Sequence, residues 1–138
     1  MIRSFWHGLL ALVLMVSVVH ADCLENEKIP VFRELKEHML SGNYDAFFEA
    51  SDHTKALSEA TLNETKVKLV QYLGVPKTCV MMAMRRYSEN FVASLTAFVG
   101  SNGQYLYAYF ASVRIEGEDE LVWVQISTDF SEILSFVN

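Results

Sequence analysis

FVASLTAFVGSNGQYLYAYFASVRI, Phe91 to Ile115, is the stretch that decides the fold. Two runs rich in β-branched and aromatic residues flank Ser101-Asn102-Gly103-Gln104, and Asn-Gly between such runs signals a β-hairpin. The dipeptide suits a type I′ turn, which needs positive φ at both central residues. Outward from this hairpin the same two-residue rhythm recurs in Cys79–Tyr87 and Leu121–Ser127, so strands are expected at 79–87, 91–99, 104–115 and 121–127. Gly117 within Glu116–Glu120 marks an acidic turn between the last two.

N-terminal to Gly74 the rhythm is helical. Phe32, Leu35 and Met39 fall on one face of a helix over 30–41, with Pro30 in its first turn, Arg33, Glu34, Lys36 and Glu37 opposite, and Gly42 as a left-handed stop. A short second helix follows with Asn43 as cap and Tyr44, Phe47 and Phe48 on one side. Ser51-Asp52-His53-Thr54 reads as a polar turn. A third helix starts at Ser58, presents Leu62, Leu69, Val70 and Leu73 as its buried stripe, and ends at Gly74 and Pro76. The expected architecture is α+β: three N-terminal helices packed on one face of a curved antiparallel meander of about four strands. The tail, Phe130–Val137, is apolar enough to dock as a last strand or a helical turn.

Both faces of the long strands are apolar. Tyr105, Tyr107, Tyr109, Ala111 and Val113 share one side of the third strand, and Leu106, Ala108 and Phe110 the other. Helices on one side leave the second face to water, a ligand or a partner, and a homodimer through this aromatic sheet face is one expectation.

Residues 1–21 have the form of a cleavable signal peptide: Arg3, an apolar run from Leu9 to Val19, and Val19-His20-Ala21 as a small-residue cleavage site. The run is roughly 11 residues against the ~20 needed to span a bilayer, so no stable membrane insertion is expected after cleavage. The expected organisation is a signal over 1–21 and a single domain over 22–138, secreted or periplasmic. In such a compartment the two cysteines, Cys23 and Cys79, read as a disulfide; a free or redox-active pair lacks the support of a Cys-x-x-Cys motif. The net charge of −6 and the absence of a basic stripe beyond Arg85-Arg86 argue against nucleic-acid binding.

Ser41-Gly42-Asn43-Tyr44-Asp45-Ala46-Phe47-Phe48, the following Ser51 and Leu57-Ser58, and the helix end Leu73-Gly74 resemble small exported domains of unknown function in the nuclear-transport-factor-like superfamily, a cystatin-like α+β cone. The glycine-aromatic ending common there is missing, and Trp123 sits mid-strand. The resemblance implies a cone able to hold a small apolar ligand, with Tyr44, Phe48, Tyr72, Arg85 and Trp123 as pocket-lining candidates. It also implies an alternative to a binding role: a proton-transfer isomerase or dehydratase, for which only Asp45 and Asp129 offer a carboxylate.

Other chemistry finds little purchase, and no catalytic residue, metal ligand or cofactor is assigned. His38 and His53 lack a spaced histidine partner. In Val80-Met81-Met82-Ala83-Met84, strand alternation puts Met82 and Met84 on one side and Met81 on the other, so three thioethers do not converge. Glu118-Asp119-Glu120 reads as a solvated turn. Asn63-Glu64-Thr65 is an N-glycosylation sequon in form, meaningful in a eukaryotic host. The function expected is therefore an exported, non-enzymatic binding or interaction domain for a partner protein or a small apolar ligand.

Overall fold

Helix caps written into the sequence place the first layer. In a computed structural model that describes residues 22–51 and 57–138, four helices precede the sheet: α1 (Asp22–Glu25), α2 (Pro30–Leu40), α3 (Tyr44–Ala50) and α4 (Glu59–Leu73). The Asn43 side chain accepts from the Ala46 N–H to start α3, and Ser58 accepts from Thr61 N–H to start α4. Gly42 ends α2 at φ +70°, and a Cβ there would come within 2.8 Å of a Val75 methyl, so both backbone and packing demand glycine. The expected signal peptide and the turn holding His53 lie outside the described residues.

The strands β1 (Pro76–Arg86), β2 (Phe91–Gly100), β3 (Tyr105–Ile115) and β4 (Glu118–Ser127) form one antiparallel sheet in the order β1-β2-β3-β4. The fold is the expected α+β meander under three N-terminal helices, with α1 added before them. Phe98, Leu106, Phe110 and Val124 meet Phe32, Leu35, Met39, Phe47 and Leu73 in the main core. Phe32 and Phe110 rings lie 5.8 Å apart across the two layers.

Turn chemistry departs from the sequence reading in a specific way. Among the described non-glycine residues only Glu116 has positive φ, so Asn102 does not supply the left-handed conformation of a type I′ turn. Gly103 N–H instead bonds Gly100 O and Gly100 N–H bonds Gln104 O, a three-residue loop with Gly103 at φ +80°. Asn102 is used through its side chain, donating to Tyr72 O at the end of α4 and accepting from Gln104 N–H. The two successive left-handed residues are Glu116 and Gly117, at φ 52° and 86°. This tight connection starts β4 at Glu118, so Glu118-Asp119-Glu120 is strand rather than turn. Asp119 lies opposite Arg114 and takes two hydrogen bonds from it, at 3.0 and 2.8 Å.

Three further corrections come from packing. A bulge at Met82 lets Met81 pair with Thr96 and Met84 with Ser94, so Met81 and Met84 share the helix-facing side. Val70 is 56% exposed and is not part of the α4 stripe, which is anchored by Leu69 and Leu73. Lys36 is fully buried because the 22–29 segment folds back over α2 and presents the Glu27 carboxylate to it.

Cys23 and Cys79, both fully buried, form the expected disulfide with Cα atoms 5.4 Å apart. It joins α1 to β1. Among the described residues no helix is long and apolar enough to cross a membrane.

Candidate functional site

Strand alternation sorts the outer sheet face, the one away from α2–α4. Phe91, Ala93, Leu95 and Ala97 on β2 lie opposite Val113, Ala111, Tyr109 and Tyr107 on β3, and Ala111 lies opposite Trp123 on β4. The tail resolves its two expected alternatives as a helical turn, α5 (Phe130–Leu134). Asp129 caps it, accepting from Ser131 N–H at 2.8 Å. Ile133 is fully buried on Ala93, Leu95, Tyr109 and Ala111, forming a second, smaller core. The outer face is therefore partly covered by the chain itself.

What remains open is aromatic. Phe136 stacks on Tyr109 at 6.0 Å and packs against Trp123 at 6.2 Å. The small side chain of Ala111 leaves space between these rings. The result is an open groove of about 300 Å³ lined by Phe91, Tyr109, Ala111, Val122, Trp123 and Phe136. Trp123 is 51% exposed, and Val122, the bulge residue of β4, is similarly exposed. Burial, followed by the hydrogen bond with Tyr87, pushes the Tyr109 hydroxyl up to about 12, with Arg85 opposing. Tyr109 stays protonated at neutral pH and adds no charge to the groove.

The five pocket-lining candidates do not converge on one cavity. Tyr44 and Phe48 are buried in the helical core, where the Tyr44 hydroxyl donates to Gly74 O and Phe48 meets Phe47 edge-on at 5.3 Å. Tyr72 donates to Tyr105 O at 3.1 Å and borders a cleft of about 420 Å³ between α4 and the β3–β4 edge, floored by Leu69, Leu106 and Ile126. Arg85 lies on the outer face: Nη1 donates to Val137 O at 2.7 Å and the guanidinium sits 5.5 Å from the Tyr87 ring centre. Only Trp123 borders the aromatic groove. Sequence reasoning passed over Phe136 and Val122, whose roles depend on how the tail docks and on a bulge.

The carboxylates are placed outside both clefts just described. Asp45 is largely exposed and pairs with Lys66, and Asp129 is the α5 cap. His38 is half-buried with Glu34 at 3.6 Å. A third cleft, about 620 Å³, lies between the start of α2 and the β3–β4 turn and is lined by Lys28, Glu34, Arg114, Glu118 and Asp119 among others. Arg114 and Asp119 there satisfy each other, and the paired guanidinium holds the Asp119 carboxyl below its ordinary range. Among the described residues no three His, Cys, Asp or Glu side chains converge on a point that could hold a metal ion.

Comparison of this chain with known family models, with curated proteins and with solved structures finds no match.

Proposed function

We propose that this chain is an exported, non-enzymatic binding domain that engages an apolar partner through its outer sheet face. The observation that carries the reading is the aromatic groove walled by Trp123, Val122 and Phe136, which stays open after the chain's own tail has covered the middle of that face. Exposed apolar surface gathered around an uncharged groove suits a partner's apolar side chains more than a reacting polar substrate. The buried disulfide supports an oxidising destination, secreted or periplasmic, and agrees with the leader-like first 21 residues. The likeness to the nuclear-transport-factor-like cone rests on the sequence, on Ser41–Phe48 and the helix end Leu73-Gly74. A proton-transfer enzyme is the weaker reading because Asp45 and Asp129 are committed to solvent and to a helix cap.

A second copy of this chain is the first partner to test. Native mass spectrometry of the secreted protein, with and without Trp123→Glu, reads the dimer and any co-purifying ligand together. A dimer or a bound apolar molecule lost in the variant supports the proposal. A monomer without ligand in both proteins, together with unchanged behaviour of the variant, overturns it.

A further inference from the structure

The solvent side of α4 carries a feature the binding reading leaves unused. Val67 and Val70 are 54% and 56% exposed, an apolar pair on a helix whose Leu69 and Leu73 are already seated in the core. Asn63 is exposed on the same helix, four and seven residues before them, which puts all three side chains on one face. Asn63 is also the acceptor position of the sequon Asn63-Glu64-Thr65. The motif and the patch are separate observations, one from sequence and one from burial, and they coincide.

We infer that Asn63 carries an N-linked oligosaccharide whose first sugars lie over Val67 and Val70. The inference rests on the export reading taken in its secreted, eukaryotic form, since the donor, an oligosaccharide on a lipid diphosphate, is met by a chain entering the secretory compartment of such a cell. In the transfer the Asn63 amide nitrogen forms a bond to C1 of the first sugar and loses one proton. The C1–O bond to the lipid diphosphate breaks, and the diphosphate leaves with that electron pair. The folded helix engages the Thr65 hydroxyl with Thr61 O at 2.9 Å, so transfer precedes closure of α4. Once folded, the sugar rings present their C–H faces to the two valines, which removes apolar surface from water.

The test is expression of the full chain in cultured eukaryotic cells, with intact mass measured on the secreted and cell-retained fractions. The expected result is one glycan on the secreted chain, released by a glycan-cleaving amidase that leaves an aspartate at position 63. It is absent in Asn63→Gln and in Thr65→Ala, and retained in Thr65→Ser. A secreted chain with an unmodified Asn63 overturns the inference and leaves export standing. A chain held in the cytosol without glycan overturns both. Enzymatic trimming should raise binding of a hydrophobic dye to the wild type, and raise it less in Val67→Thr/Val70→Thr. Equal dye binding before and after trimming overturns the covering role.

Discussion

The Lys36 ammonium meets the Glu27 carboxylate with neither side chain touching solvent. Lys36 also reaches the Cys23 carbonyl at 3.4 Å, and the second Glu27 oxygen accepts from Ile29 N–H at 2.9 Å. One ion pair thus fastens the segment that carries the disulfide to the face of α2. Such a pair is costly to break from one side because the surviving charge stays buried. Lys36→Met alone should destabilise by about 3–5 kcal/mol. Adding Glu27→Gln removes the stranded charge and keeps an acceptor for Ile29, so the double variant should be more stable than Lys36→Met. Urea denaturation of the four proteins in the cycle decides it; a double variant as unstable as the sum of the singles overturns the pairing.

The disulfide acts on the same segment by another route. Its sequence separation of 56 gives a chain-entropy contribution of about 4 kcal/mol. Cys23→Ser/Cys79→Ser should lower stability by that order. Because α1 is only four residues long, hydrogen exchange should show 22–29 opening before the sheet does.

How far the sequence revealed this arrangement depends on the range of the interaction. Period and caps are local, so the helices started by Asn43 and Ser58 and the four strands were readable from their own residues. Lys36 falls on the solvent side by helical period, and its burial depends on Glu27, nine residues earlier and in no periodic relation to it. The Met82 and Val122 bulges shift which residues share a face, and alternation counting assumes there are none. The candidate groove was half-visible: the aromatic strand face could be read from residues 91–115, while the wall supplied by Phe136 required knowing where the tail docks.

On the helix-facing side of β2, Ser94 Oγ and Thr96 Oγ1 are buried without a hydrogen-bond partner. A stranded hydroxyl costs roughly 1–3 kcal/mol, and replacing it with a methyl of the same shape removes that cost. Thr96→Val should raise the urea midpoint, by about 1 kcal/mol in stability or more. A drop in the midpoint would show that the hydroxyl has a partner in solution.

Two buried groups bring opposite alkaline behaviour. Burial raises the Tyr44 hydroxyl above its ordinary 10, so its contribution is complete below pH 10 and is lost as pH climbs through the folded value. For Lys36, burial lowers the ammonium below 10.5 against the raising effect of Glu27. Its contribution therefore grows with pH between the lowered value and 10.5. Tyr44→Phe should cost about 1 kcal/mol at pH 7 through the lost bond to Gly74 O, and should flatten the fall in stability above pH 10. Thermal melts of wild type, Tyr44→Phe and Lys36→Met from pH 8 to 11 separate the two by the sign of their slopes.

The tail offers the last test, because the candidate groove exists only while α5 is docked. Ile133 is fully buried on the outer face and Phe136 forms one groove wall, while Arg85 holds the Val137 carbonyl at 2.7 Å. Ile133→Ala should cost about 2–5 kcal/mol if docking belongs to the cooperative fold. Arg85→Ala, at an exposed contact, should cost no more than about 1 kcal/mol yet loosen the last residues. Trp123, the one tryptophan outside the leader-like segment, reports the difference through its contact with Phe136 at 6.2 Å. Its emission should shift red in Ile133→Ala under native conditions and move little in Arg85→Ala. Unchanged Trp123 emission in Ile133→Ala, with global stability preserved, would mean that the tail is not part of the groove and that the binding surface is the bare sheet.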